Sequence, residues 1–308
     1  MKMLDVNQTQ RVLPFAELIP AVARAAREHA SGALHSPERL VVPTGAGTLL
    51  CMPAVADDVG IAKLVTVHRA NPERGLPAIH GEMIVFEADT GRRLLMLDGA
   101  TVTARRTAAV SMLGIDTLAP RKPASVMLIG TGVQAWVHAL ALIEYMNVRS
   151  FRIAGTDLSR ANQFIEKLRA VAPDIEASAV VASALPPTGM GDDVVIALTT
   201  STRPVVPAQL PGTTLVVGVG AFRPEMAELP PQLLQQRGIV VDYLHGAQSE
   251  AGDLLQAKVD WRQVVELSAV LNGAVVPGST LPVLKTVGHA SWDLAAARVA
   301  RQRCEIAS

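Results

Sequence analysis

Residues 130–135 read Gly-Thr-Gly-Val-Gln-Ala, a G-x-G-x-x-A run. An apolar stretch precedes it (Val126, Met127, Leu128, Ile129), and a segment with Trp136, Val137, Leu140 and Ile143 at helical spacing follows. Strand, glycine turn and helix in that order suit the phosphates of a dinucleotide. Gly130 permits the tight turn, Gly132 the close approach of a pyrophosphate, and Ala135 the close packing of helix on strand. The helix N-terminus holds the phosphate charge, with Thr131, Val133 and Gln134 completing the turn. Thr199, Thr200 and Ser201 follow the β-rich run Asp193–Leu198, and Val219-Gly220 close another, Thr214–Val219. Open α/β sheets bind ligands at the carboxyl ends of their strands, so these loops are expected to meet the cofactor, Val219 and Gly220 at its nicotinamide. Lys63 stands apart. It lies in Ile61–Val67 and shares a face with Ile61, Val65 and Val67. A lysine in an apolar row is either a snorkelling edge residue or a paired functional group. The second reading supplies a buried cation that clamps a carboxylate or moves a proton.

The elements that must position these groups change character along the chain. Phe15, Leu18, Ile19 and Val22 recur at helical spacing behind Pro14, so an amphipathic helix is expected to end near Ser31-Gly32. Strand-like runs follow at Gly47–Met52, Ile61–Val67, Glu82–Phe86 and Arg93–Leu97, the last two joined by an Asp89-Thr90-Gly91 turn. Strands without intervening helices predict a mostly antiparallel sheet. A helix capped by Thr101 or Thr103 is expected to run to about Leu113. From Pro123 strand and helix alternate: Val126–Ile129, a helix to Asn147, Phe151–Ala154, and a helix burying Ala161, Phe164, Ile165 and Leu168. With Asp193–Leu198, Thr214–Val219 and Ile239–Asp242 these predict a doubly wound parallel sheet. The tail from His289 to Cys304 reads as helix, and its pattern fits packing on either domain.

The chain of 308 residues suits two domains. Lys+Arg and Asp+Glu both number 28, so the charge balance gives no support for a nucleic-acid or anionic-membrane partner. No apolar run approaches the roughly 20 residues that span a bilayer. The N-terminal MKMLDVNQTQ lacks the apolar core of a signal peptide, and Cys51 and Cys304 form no metal or redox spacing. A reducing cytoplasm without a bound metal is the simple expectation.

The chain resembles the ornithine cyclodeaminase/mu-crystallin family. The resemblance is carried by SPERLVVP (Ser36–Pro43), MPAVADDVGIAKLVTVH (Met52–His68), NPERGLP (Asn71–Pro77) and LDGATVTARRTAA (Leu97–Ala109). It continues through LIGTGVQA (Leu128–Ala135), VVIALTTSTRPV (Val194–Val205), GVGAF (Gly218–Phe222), EAGDLLQA (Glu250–Ala257) and KTVGHASWDLAAA (Lys285–Ala297). Within the family, SPERLVVP, TVTARRTAA followed by SMLGI, and GVGAF look most like the reductases of 1-pyrroline-2-carboxylate and 1-piperideine-2-carboxylate. The resemblance implies a homodimer. It implies a substrate and dimerisation domain (1–115 with 287–308) and an NAD(P)-binding Rossmann domain (116–286), with the nicotinamide facing a cleft between them. It assigns Arg39, Lys63 and Arg106 to the substrate carboxylate, and Thr107 to the cofactor phosphate. Arg105, about 100° around the helix from Arg106, is expected to be solvated or interdomain.

Cofactor choice turns on the end of the second Rossmann strand. An acid there would bind the 2′-hydroxyl of NAD and repel the NADP phosphate. Here Gly155-Thr156 ends the strand, Asp157 is free to cap the next helix, and Arg160 is near enough to meet a 2′-phosphate. That favours NADP(H) over NAD(H). In the family's cyclodeaminases an aspartate after the fifth strand holds the substrate amine, whereas this chain has Phe222; Ala78 likewise replaces a threonine. A phenyl ring cannot take up a proton. The expected reaction is therefore NAD(P)H-dependent reduction of a cyclic 2-imino carboxylate to proline or pipecolate, with Phe222 against the substrate ring. The alternatives are ornithine cyclodeamination, a related amino-acid dehydrogenase, and a non-catalytic binding protein of the mu-crystallin kind.

Overall fold

The computed structural model describes residues 1–68 and 70–306. Ala307 and Ser308, the end of the expected first-domain range, lie outside the described residues. The chain divides into two compact units, Met1–Ala109 with His289 onward, and Val110–Gly288.

The first unit is built on strands β1 (Lys2–Leu4), β2 (Leu34–His35), β3 (Leu40–Thr44), β4 (Gly47–Ala56), β5 (Val59–Val67), β6 (Ile79–Glu87) and β7 (Arg93–Asp98). They form one sheet in the order β1-β7-β6-β5-β4-β2, with β3 also paired to β4. All pairs are antiparallel except β1 with β7. Along β5 the side chains alternate as a half-buried strand requires: Ile61, Lys63 and Val65 are buried, Leu64 is exposed. Helix α1 (Val6–Arg11) opens with an Asp5/Gln8 capping box. Helix α2 (Phe15–Ala30) starts after Pro14 and buries the expected Phe15, Leu18, Ile19 and Val22. Helix α3 (Gly99–Leu118) crosses the unit boundary. The C-terminal helix (Ala290–Ile306) packs on α2, β4 and β5, burying Ala295, Ala296, Ala297 and Ala300.

The α3 expectation needs correction at both ends. The side chain of Asp98, not of Thr101 or Thr103, accepts the first-turn N–H, from Thr101 at 2.6 Å, and the helix continues past Leu113. Thr103 instead donates to Gly99 O at 2.8 Å. Arg105 is not solvated. It is 6% exposed, donates from Nε to Leu13 O at 2.7 Å, and stacks 4.0 Å from the Phe15 ring centre.

The second unit holds β8 (Ser125–Ile129), β9 (Ser150–Gly155), β10 (Glu176–Val181), β11 (Val194–Ala197), β12 (Leu215–Gly218), β13 (Ile239–Val241), β14 (Val264–Glu266) and β15 (Val283–Lys285). All are parallel, in the order β10-β9-β8-β11-β12-β15-β13-β14. The order reverses between β8 and β11, the switch point where such sheets bind ligands. Helix α4 (Val133–Met146) follows β8, and α5 (Leu158–Val171) follows β9 and buries Ala161, Phe164, Ile165 and Leu168. The fold is thus the expected doubly wound parallel sheet with a mostly antiparallel α+β unit, although β1, β2 and β3 in the first unit and β10, β14 and β15 in the second are additions to the strands predicted.

Candidate active site

In the first unit the sheet register sets Lys63 between Met52 on β4 and Met83 on β6, both buried. An ammonium in that row needs a counter-charge. The C-terminal helix supplies it: Lys63 Nζ lies 2.7 Å from Asp293 Oδ2. The other oxygen, Oδ1, accepts from Arg106 Nε at 3.0 Å. Asp293 is fully buried, and Lys63 and Arg106 nearly so. Lys63 also donates to Thr103 Oγ1 at 3.2 Å, its one hydrogen bond among the described residues, so N–H capacity remains. The terminal amino groups of Arg106 have no hydrogen-bond partner among the described residues. Two cations share one carboxylate, so the cluster carries one positive charge in excess.

Burial drives the Lys63 ammonium down to about 8. Asp293 opposes the shift, while Arg106 and, more weakly, Arg39 reinforce it. Half-buried Arg39 leads into β3 and acts on both Lys63 and His289. His289 is buried and pushed down to about 3, by desolvation first, then His29, Arg39 and Arg106, so its ring is neutral at neutral pH. Its Nδ1 is 2.9 Å from Ser291 Oγ, and its ring centre 4.6 Å from that of His29. Half-buried Thr107 lies on α3 one residue beyond Arg106. Lys63 and Arg106 are therefore brought together, with Arg39 in electrostatic reach. Asp293, Thr103 and His289 were not anticipated. A lone acid early in the alanine-rich tail helix was the available signal for Asp293.

In the second unit the turn after β8 suits a pyrophosphate. Gly130 has φ +123°, and a Cβ there would stand 2.7 Å from Leu198 O. Gly132 begins α4 with no side-chain cap, and a Cβ there would meet nothing within 4 Å, so the helix N-terminus is open. Gln134 Oε1 is buried beside it without a hydrogen-bond partner among the described residues. A cavity of about 500 Å³ adjoins the turn, lined by Thr131, Gly132, Val133, Trp136, Arg160 and Lys167. Asp157 caps α5: Oδ1 accepts from Arg160 N at 2.9 Å and Oδ2 from Thr156 Oγ1 at 3.3 Å. The Arg160 N–H is the main reason its carboxyl is held below the usual range. Arg160 Nε stays 3.8 Å away and more than half exposed.

The loops after β11 and β12 carry the other predicted residues. Thr199 and Gly220 are tied to buried Glu228; Ser201 N donates to Thr199 Oγ1 at 3.2 Å; Thr200 is exposed. Val219 is buried and pairs back to Ala197 O at 3.0 Å. Phe222 is half-buried, with the Arg223 guanidinium 5.7 Å from its ring centre.

One unit carries a dinucleotide-type turn at a parallel-sheet switch point and the other, mostly antiparallel, a buried cationic cluster; the fold is that of a Rossmann-type α/β protein with a second α+β unit. The chain belongs to the ornithine cyclodeaminase/mu-crystallin family, whose model matches residues 1–307. It is 43% identical over 298 residues to Delta(1)-pyrroline-2-carboxylate reductase 1 of Burkholderia multivorans, covering 96% of this chain and 94% of that protein. It is 31% identical over 275 residues to ketimine reductase mu-crystallin of Mus musculus, covering 87% and 85%. Delta(1)-pyrroline-2-carboxylate reductase of Thermococcus litoralis, solved with NADH and L-proline, shares the fold with TM-score 0.90 at 24% identity, covering 100% of this chain and 98% of that one.

Proposed function

We propose that this protein is an NAD(P)H-dependent reductase of cyclic 2-imino carboxylates, converting 1-pyrroline-2-carboxylate or 1-piperideine-2-carboxylate to proline or pipecolate. The observation that carries the reading is the cluster of Lys63, Arg106 and Asp293, whose single surplus positive charge matches one substrate carboxylate. Similarity to reductases of such imines over nearly the whole chain supports it.

Arg106 turns its side nitrogen to Asp293, which leaves the terminal pair for a bidentate grip on the carboxylate. Arg39 adds a second cation. Lys63, ion-paired to Asp293 and bonded to Thr103, has N–H capacity left for the substrate and a pKa of about 8, so it keeps or passes a proton near neutral pH. Burial excludes water from this cluster and strengthens each of these contacts. The nicotinamide, when bound, supplies the hydride. The open α4 N-terminus with Gly130–Gln134 would hold its pyrophosphate, and the loops at Thr199–Ser201 and Val219-Gly220 its other end. Thr107 would reach a cofactor phosphate. A ring nitrogen that arrives protonated needs no aspartate at position 222, and Phe222 would cover the flat ring. In this reading the first unit binds substrate and forms a homodimer, the second binds the dinucleotide, and the enzyme works in the cytoplasm. With Asp157 engaged at its own helix and Arg160 exposed beside the turn, the preferred cofactor is NADP(H).

The test is oxidation of NADPH and NADH by purified protein with each cyclic imine, beside ammonia release from ornithine with NAD⁺. Rapid imine-dependent oxidation, faster with NADPH, is expected. Ammonia release without imine reduction would replace this reading with cyclodeamination.

A further inference from the structure

The second unit buries two carboxylates and a lysine that the mechanism above does not use. Glu228 is fully buried, and its two oxygens face different loops. Oε1 accepts from Thr199 N at 2.5 Å and Thr199 Oγ1 at 3.0 Å. Oε2 accepts from Gly220 N at 2.6 Å and Ala221 N at 3.1 Å. Thr199 follows β11 and Gly220 follows β12, adjacent parallel strands whose ladder stops at Ala197 and Gly218. Glu228 thus continues by side chain a pairing that the backbone has ended.

The spacing it sets is tight. A Cβ on Gly220 would stand 1.9 Å from Thr199 O and 2.7 Å from Glu228 Oε1, so not even a methyl group fits between the loops. Glu228 is itself held. Asp253 Oδ1 accepts from Glu228 N, and from Leu229 N at 2.8 Å; Asp253 Oδ2 lies 2.8 Å from Lys285 Nζ at the end of β15, both fully buried. Four donors converge on one carboxylate, the arrangement that suits its ionised form. Burial pushes its pKa up, and Lys285 and the Thr199 N–H oppose that.

We propose that Glu228, anchored through Asp253 and Lys285, is a positioning residue that fixes the Thr199 and Gly220 loops at the spacing the nicotinamide half of the cofactor requires. This rests on the dinucleotide reading above. The adenosine and pyrophosphate half depends on the Gly130–Gln134 turn and α4, which Glu228 does not touch among the described residues.

The experiment compares two ligands on full-length protein by calorimetry, without any imine: NADPH, which reaches both halves, and ADP-ribose, which lacks the nicotinamide. Glu228→Gln keeps the shape but turns an NH₂ toward backbone N–H groups. It is expected to weaken NADPH about 10- to 100-fold and leave ADP-ribose within about twofold. Should that variant not fold, Thr199→Val removes the hydroxyl on Oε1 and is expected to show the same split at about three- to tenfold, with Thr199→Ser restoring it. Equal NADPH affinity in variant and wild type would overturn the proposal. So would parallel loss of both ligands, which would make Glu228 a general stabiliser. Wild-type protein that binds NADPH yet reduces no imine would sink the reductase reading and leave this comparison intact. Wild-type protein that binds neither ligand would sink both.

Discussion

In the first unit Lys63 meets Asp293 at 2.7 Å; in the second Lys285 meets Asp253 at 2.8 Å. All four side chains are at most 1% exposed. The difference lies in the third member. Arg106 joins the first pair and leaves a positive excess; Glu228 stands beside the second and leaves a negative one. The negative excess is consumed by four donors of its own chain. The positive excess meets no such set of internal partners: the Arg106 terminal nitrogens have none among the described residues, and Lys63 makes a single hydrogen bond. A buried ion pair by itself therefore says little about role. The residual charge, and whether the chain neutralises it internally, separates a candidate ligand site from a scaffold.

The largest effect that sharpens this contrast is on substrate turnover. Arg106→Ala is expected to lower kcat/KM for the imine about 100- to 1000-fold, with NADPH affinity by calorimetry within about twofold. Unchanged kinetics would remove Arg106 from the site. Breaking the second pair should act on stability instead. Lys285→Met leaves Asp253 buried without its cation and is expected to cost about 3–5 kcal/mol in denaturant unfolding, and through Glu228 to weaken NADPH more than ADP-ribose. Normal stability in this variant would erase the distinction between the units.

A smaller effect concerns pH. Lys63 must keep its proton to hold a carboxylate, and it loses it near pH 8, so kcat/KM should fall above about that pH. Asp293 supports the protonated form. Asp293→Asn should therefore move this alkaline limb to lower pH as well as reduce kcat/KM about tenfold. A limb that stays fixed, or moves up, would mean Lys63 is not the titrating group.

A last effect is common to both units. His138 in the second unit is buried between Ser111 Oγ at 2.9 Å and Gln134 O at 2.8 Å, and burial lowers it to about 4. His289 in the first unit is lowered to about 3. Below their ordinary value of 6.5 the unfolded chain takes up protons that the folded chain refuses, so stability falls as pH falls. Each contributes about 1 kcal/mol per pH unit between pH 6 and 5. Melting curves across that range should show the loss, and His138→Gln should make it shallower.

Much of this contrast was legible in the sequence, and unevenly. Lys63 was visible because a period-2 strand leaves a cation nowhere to go but inward. The turn at Gly130–Ala135 was visible because phosphate binding needs consecutive residues. The partners were not. Asp293 reaches Arg106 across 187 positions, and Glu228 collects donors from two loops that only the sheet brings together. The α3 start was misread because Asp98, at the end of β7, outcompetes the two threonines as cap. Short strands such as β15, three residues ending in a lysine, offered too little periodicity to detect.

On the reading proposed above, the surplus charge of Lys63, Arg106 and Asp293 anchors a substrate carboxylate. The most direct measurement is the rate of NADPH oxidation by wild-type protein with 1-pyrroline-2-carboxylate and with 1-pyrroline, the same ring without its carboxylate. At least about 1000-fold preference in kcat/KM for the carboxylate is predicted. Comparable rates with both rings would contradict it.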